Sequence, residues 1–330
     1  MASGGPHPAR PVVSVLIRAY RRPASLATAI ESVLAQTYRP FEIVVSDDSG
    51  ELAPVCARFG DQRVRHESNP APSGPAANLR RAVGLARGSL LAILNDDDQW
   101  TPRFLETAVR QLDLDPGVGV VFTDYWSDIG GRRVRHRFPH APGRHDSFLR
   151  HILEHSIPVS ANVMRRDVWD DGERRVPLRD EMVGDDTTWL RAASSGCAFH
   201  YVPEPLAVMR VHAEQLSWSE QGLPARNIAT LGAFRFEDPV CERLRRARVA
   251  ENHLARAHFH VRAGRLGAAV TDLRLARAAA PDVSRVRAAL ALSGARAAAM
   301  RWGSSHPRLL APLLELWPRV RPAVISPRPY

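Results

Sequence analysis

The sequence predicts an α/β protein: a Rossmann-like mixed sheet flanked by helices, followed by an all-helical C-terminal extension. Three observations carry that reading. The chain begins with an apolar run, Val12 to Ile17, then apolar positions at helical spacing (Leu26, Ile30, Val33, Leu34), then a second run, Ile43 to Val45; strand, helix, strand in that order is a parallel βαβ unit. Five apolar residues, Leu90 to Leu94, lead directly into Asp96-Asp97-Asp98, with Pro102 close behind. A short apolar run bounded by breakers is a buried strand, so these acids sit at its carboxyl end, where open α/β sheets bind ligands. From about Ala225 the composition changes to Ala, Arg and Leu in helical periodicity.

Taken in order, residues 1–11 are rich in Pro, Gly and Ala, the texture of a disordered terminus. After the first strand, Pro23 opens a helix that stops before Pro40, and the second strand ends in Ser46-Asp47-Asp48-Ser49-Gly50. Val55 to Phe59 reads as a short helix and Val64 to His66 as a short strand. A helix follows from Pro75 to Arg87, closed by Gly88, and then the central strand. Pro102 to Leu112 is a helix, because proline in the first turn forfeits no hydrogen bond, and Val118 to Thr123 is another buried strand. Residues 127–150 are polar and read as an excursion over the sheet; Pro158 to Met164 resumes a strand, and 170–181 read as a loop. Asp185 and Asp186 lie where unpaired N–H groups of a starting helix favour acids. Ala198 to Val202 is a strand and Pro203 to Ser217 an extended or looped return. Near the end, Ala257, Gly264, Ala269, Ala276 and Pro281 suggest a helix hairpin like one tetratricopeptide unit.

Composition narrows the function classes. The net charge of +10 is uneven: residues 1–240 hold 28 arginines against 30 acids, and residues 241–330 hold 17 against 5. The basic character therefore belongs to the tail, which argues against a nucleic-acid surface on the sheet domain. All 45 basic residues are arginine, a bias that suits a GC-rich coding background. Cys56, Cys197 and Cys241 are an odd, widely spaced set, so a reducing compartment is expected and a disulfide framework is not. No apolar h-region follows Met1 and no run of about 18 apolar residues occurs. A cytoplasmic protein is expected, with the inner membrane face as the alternative workplace.

Three acidic clusters follow element ends: Asp47-Asp48, Asp96-Asp97-Asp98 and Asp185-Asp186. A pair after the second strand suits a base or ribose, a central triplet suits Mg²⁺ or Mn²⁺ beside substrate phosphates, and the third pair suits a general base. Together they are the parts needed for group transfer from a nucleotide-linked donor. No GxGxxG follows the first strand, which removes most support for a dinucleotide cofactor.

At this point the chain resembles a family 2 glycosyltransferase of the GT-A fold. The blocks Val13 to Tyr20, Ser32 to Tyr38, Phe41 to Ser49, Leu94 to Pro102 and Gly184 to Arg191 resemble that family's signatures in the right order. The likeness covers roughly residues 12–217. It implies a catalytic domain over 12–222, with a nucleotide-sugar half (12–100) and an acceptor half (101–222), before the helical region 223–330. It further implies Asp48 as the contact to a uracil or thymine, with Ala19 and Tyr20 shaping that pocket and Asn78 beside it. A DxD-like motif falls on Asn95-Asp96-Asp97, with Asp96 toward the ribose or sugar and Asp97 as ligand of Mn²⁺ or Mg²⁺. Asp185 is implied as catalytic base with Asp186 as the alternative, and Arg210 and His212 resemble a late Arg-x-His near the diphosphate or metal.

Three departures stand out: Asn95 for an acid, Gly184 for the Glu that often precedes the base, and Arg18 for a small residue or Pro. The Gln-x-x-Arg-Trp motif of processive members is absent, so one sugar per encounter is expected. The resulting expectation is an inverting transfer of one sugar from a UDP- or TDP-linked donor to a hydroxyl or amine of a cell-surface glycan or secondary metabolite. Two rivals remain. A nucleotidyltransferase would need a Lys-containing glycine-rich loop, and the chain has no Lys; a degenerate scaffold would be favoured if the three acidic clusters failed to share one cleft. For the basic tail, docking an anionic lipid-linked acceptor at a membrane competes with homodimerisation. The lack of a Trp- or Phe-rich amphipathic face favours self-association.

Overall fold

Strand β1 (Val13–Ala19) is the spine of the first unit: it pairs in parallel with β2 (Phe41–Asp47) on one side and β4 (Leu90–Asn95) on the other. The computed structural model describes residues 12–155, 157–182, 184–211 and 223–281. It divides into two compact units, with the division between Gln215 and Leu216. In unit one a single mixed sheet runs in the order β3 (Val64–Ser68), β2, β1, β4, β9 (Asn162–Arg165), β6 (Val118–Ile129), β10 (Ala198–Val211), β5 (Gln99–Trp100). The β3 to β4 half is parallel, β9 runs antiparallel to both its neighbours, and β6 and β10 are parallel again. Mixed sheet, flanking helices and helical C-terminal region are the architecture that the sequence predicts.

Helix α1 (Pro23–Leu34) buries Leu26, Ala29, Ile30 and Val33, one face at i, i+3, i+4 and i+7. Each of the three larger side chains contributes roughly 1.5–3 kcal/mol when fully buried. They pack on Val15, Ile17, Ile43 and Val45 of the sheet in one core. Helices α2 (Ala53–Ala57) and α3 (Pro75–Leu85) complete this half, and α4 (Phe104–Leu114) packs on β6, β9 and β10.

Several boundaries differ from the sequence reading. Helix α3 ends at Leu85, and Gly88 serves another purpose: a Cβ there would lie 2.7 Å from Ser14 N and 2.8 Å from the Val12 carbonyl, so glycine permits the chain to cross β1. Below that crossing, Ser14 Oγ donates to Glu42 (2.6 Å) and the Gly88 N–H donates to Ser14 Oγ (2.8 Å). Pro102 precedes α4 instead of opening it, because Gln99 and Trp100 pair with β10. The polar excursion contains β7 (Arg132–His136), which returns along β6 through Gly130-Gly131, and β8 (Gly143–His145) on β10. Both strands are polar because one face is solvated, which erases the apolar run that marks a buried strand.

Pro158 to Met164 divides into a 3₁₀ turn at Val159–Ala161 and β9, with the short helix α5 (Leu149–Glu154) before it. The first half of the stretch read as a loop belongs to α6 (Arg166–Arg175), which has Trp169 as its one large buried apolar residue, and residues 176–181 are irregular as expected. Of the extended or looped return after Val202, the part as far as Val211 is extended: it continues β10, where two register shifts absorb Pro203 and Pro205, which have no N–H to pair, and residues 212–217 lie outside the described residues.

The second unit holds α8 (Leu223–Gly232), α9 (Pro239–Arg262) and α10 (Leu266–Ala279). Asp238 caps α9 by accepting from the N–H groups of Val240 (2.7 Å) and Cys241 (2.9 Å). Gly264, at φ +74°, makes the α9–α10 turn. Across it the buried Asp272 carboxylate meets His253 (2.9 Å), Arg256 and His260 (3.4 Å), which ties α10 to α9.

Candidate active site

The last residues of β1 touch all three acidic clusters. The Ala19 carbonyl accepts from the Asp48 N–H (2.9 Å), the Tyr20 N–H donates to Asp96 Oδ2 (3.1 Å), and Arg18 Nη2 donates to Asn95 Oδ1 (2.6 Å) while lying 3.7 Å from Asp185 Oδ1. Parallel pairing of β1 with β2 and β4 in register forces this, since it brings three strand ends to one edge of the sheet. The clusters therefore converge on the carboxyl end of β1, the arrangement that a degenerate scaffold has no need to keep.

The pair Asp47-Asp48 separates by role. Asp47 is fully buried and closes its own turn, accepting from Ser49 N (2.8 Å), Ser49 Oγ (2.6 Å), Gly50 N (3.0 Å) and Leu52 N (2.8 Å), with His66 Nε2 at 3.2 Å. Asp48 reaches the loop 69–74. Its Oδ1 accepts from Asn69 (2.6 Å) and from Ser73 N and Oγ (2.8 Å each), while Oδ2 accepts only from Gly74 N (2.8 Å) among the bonds seen. Burial alone would raise this carboxyl, but the hydrogen bonds outweigh it and hold it below the ordinary range. Asn78 Oδ1 accepts from the same Asn69 amide at 3.3 Å, so Asn78 belongs to the wall behind Asp48. Tyr20, 45% exposed, stands at the rim with Arg21 over its ring.

In the central triplet the like charges are relieved in two ways. Asp98 turns inward: Ser160 Oγ donates to it at 2.6 Å, Asn95 Nδ2 at 3.1 Å and the Arg210 N–H at 3.2 Å. Burial, with the Asp97 charge adding to it, pushes its carboxyl up to about 7. Asp96 and Asp97 share a cation instead: Arg22 Nη1 donates to both, at 3.1 Å to Asp96 Oδ1 and 2.7 Å to Asp97 Oδ2. Arg210 sits at the end of β10, with Nη1 3.2 Å from Ser25 Oγ on α1.

Asp185 begins α7 (Gly184–Ser194), which Trp189 anchors by donating from Nε1 to the Ile157 carbonyl (2.8 Å) and Arg191 by an ion pair with Glu173 (2.9 Å). Its side chain keeps 27% exposure, while Asp186 is buried at 6%. Close surroundings raise the Asp185 carboxyl by desolvation, the Arg18 guanidinium opposes this, and the Asp186 charge adds to it. Trp100 is a packing residue, stacked on Phe104 at 4.3 Å with Nε1 donating to Ser160.

Arg22 and Ser160 escaped the sequence reading. Nothing marked Ser160, whose partner lies 62 positions away. For Arg22 the available signal was the break Tyr20-Arg21-Arg22-Pro23, where Arg21 takes the left-handed conformation (φ 54°). His212 lies outside the described residues. Among the described residues no three His, Cys, Asp or Glu side chains gather as a metal cluster. Mg²⁺ and Mn²⁺ beside a diphosphate need only one or two protein carboxylates, and the adjacent Asp96 and Asp97 fit that demand.

Residues 14–172 match the family described as Glycosyl transferase family 2. Among curated relatives, an uncharacterised Mycobacterium tuberculosis protein, MT1568, is 35% identical over 121 residues, 35% of this chain and 37% of that protein. The Escherichia coli UDP-Glc:alpha-D-GlcNAc-diphosphoundecaprenol beta-1,3-glucosyltransferase WfgD is 28% identical over 116 residues, 34% of this chain and 46% of that one. The matched segment thus spans less than half of either relative. Among solved structures, S. aureus TarS 1-349 in complex with UDP-GlcNAc superposes with a TM-score of 0.65 at 16% identity, over 84% of this chain and 83% of that chain. The mannosyltransferase PcManGT of Pyrobaculum calidifontis, in complex with GDP-Man and Mn²⁺, gives 0.55 at 20% identity, over 94% and 88%. At these identities the likeness is one of fold.

Proposed function

Since residues 14–172 belong to glycosyl transferase family 2 and the sheet has the GT-A fold, we propose that the protein transfers one sugar, with inversion, from a UDP- or TDP-linked donor to a hydroxyl or amine of a cell-surface glycan or secondary metabolite. The observation that carries the reading is the reach of Arg18, which joins Asn95 of the DxD-like motif to Asp185 in one cleft. On this reading Asp48 Oδ2 accepts the N3–H of the base, in a pocket walled by Ala19, Tyr20 and Asn78. Asp96 turns toward the ribose or sugar, and Asp97 holds Mn²⁺ or Mg²⁺. The cation supplies charge neutralisation for the departing diphosphate. Arg210 lies on the diphosphate side.

Asp185 takes the proton from the acceptor O–H or N–H as that atom bonds to the anomeric carbon from the face opposite the diphosphate. The bond from carbon to the diphosphate oxygen breaks, and its electron pair leaves with the nucleoside diphosphate. General-base catalysis is worth ~10² to 10⁴ in rate. Asp185→Asn should lose about that much in kcat and still bind donor. Full activity in that variant, or an α-linked product from an α-linked donor by NMR, refutes the assignment; a dead Asp186→Asn beside an active Asp185→Asn moves the base by one residue.

Among the described residues no helix is long and apolar enough to cross a membrane. For the helical unit the reading is self-association, supported by Leu266 and Val270, which stand one turn apart on α10 at 48% and 41% exposure. A full-length chain that is monomeric by light scattering at micromolar concentration removes it.

A further inference from the structure

We propose that Arg22 is the resident counter-cation of the Asp96–Asp97 pair: a divalent cation must displace it, and the donor's diphosphate is the partner to which it then turns. The proposal rests on the transfer reading above. A single nitrogen, Nη1, lies 3.1 Å from an oxygen of Asp96 and 2.7 Å from an oxygen of Asp97, so a guanidinium occupies the carboxylate that would hold a metal and ties it to its neighbour. The backbone is shaped for this contact. Arg21 carries φ 54°, the only non-glycine positive φ among the described residues, and this turn comes immediately before Arg22. The Tyr20 N–H meanwhile fixes the other oxygen of Asp96 at 3.1 Å. The Arg22 side chain is 28% exposed, and so its head can leave without opening the core.

The consequence is a coupling. Arg22 and a divalent cation compete for the same carboxylate oxygens, so metal alone binds weakly. A diphosphate changes the balance because it offers the displaced guanidinium a bidentate anionic partner and brings oxygens of its own to the metal. Metal and nucleoside diphosphate must then raise each other's affinity by the same factor, since linkage is reciprocal. Loss of the guanidinium should strengthen metal binding by itself while weakening the help that the nucleotide gives.

Mn²⁺ binding to the full chain, read by the electron paramagnetic resonance signal of the free ion, tests this with and without UDP. Arg22→Gln should bind Mn²⁺ alone about tenfold tighter than wild type, a typical size for such coupling, and UDP should improve its Mn²⁺ affinity less than it does in wild type. Arg22→Lys, which keeps the positive charge but shortens the side chain and removes the planar fork, should move both quantities the same way by a smaller factor, and it guards against a folding defect in the first variant. If wild type binds UDP with Mn²⁺ but neither variant gains metal affinity, the counter-cation role is overturned. If wild type binds UDP in no condition, the transfer reading itself falls, and this inference with it.

Discussion

Replacing Arg18 with Gln should move the acid limb of the pH–activity profile upward. Burial holds the Asp185 carboxyl above its ordinary range, and the Arg18 guanidinium opposes that by favouring the charged form. With Nη2 at 3.7 Å from Oδ1, a unit-charge pair interacts by about 1 kcal/mol in bulk water and roughly 4.5 kcal/mol at an effective dielectric constant of 20. Arg18 is 15% and Asp185 27% exposed, so solvent screening places the expected value near ~1–2 kcal/mol, the lower part of that range. The sign is fixed: without the guanidinium Asp185, the proposed base, binds its proton more tightly and is inactive over a wider acid range. Since about 1.4 kcal/mol is tenfold, kcat/KM on the acid limb should fall roughly tenfold relative to the high-pH plateau. Arg18 also donates to Asn95, and loss of that bond lowers donor affinity at every pH, a vertical change separable from the sideways one. An acid limb that stays put, or moves to lower pH, refutes the reasoning.

Gly88→Ala should cost ~1–3 kcal/mol, because its Cβ would meet backbone atoms of β1 that cannot move aside; a chemical denaturation midpoint equal to wild type would count against it. Asp47→Ala should lower stability by about 1–3 kcal/mol through the orphaned turn N–H groups, whereas Asp48→Ala should chiefly weaken nucleotide binding. Melting curves and UDP titrations on the two variants that showed the reverse assignment would contradict the division made here.

How far the sequence carried depended on burial. β1, β2 and β4 were legible because buried parallel strands are continuous apolar runs. α1 was legible from one apolar face. β7 and β8 were hidden by polar, half-solvated sequences, and α6 by having one large buried apolar residue. The continuation of β10 past Pro203 was ambiguous between strand and loop, since a proline within an apparent strand argues against it unless a bulge intervenes, as here. In the cleft, the acids announced themselves by their positions at strand and helix ends. What they do locally did not: only the folded chain separates the turn-closing Asp47 from the loop-holding Asp48, turns Asp98 inward onto Ser160, and brings Arg22 across to Asp96 and Asp97. Those partnerships run between residues as many as 75 positions apart, beyond any local pattern.

The claim that Asp48, Asp96 and Asp97 together form a nucleotide-sugar donor site is tested most directly by calorimetric titration of the full chain with UDP, TDP, GDP and CDP in the presence of Mn²⁺. Asp48 Oδ2, which accepts from Gly74, suits the N3–H of uracil or thymine, while cytosine offers no proton at that position. The account predicts saturable binding of UDP or TDP in preference to the other two. Preference for GDP or CDP, or no binding of any of the four, would contradict it.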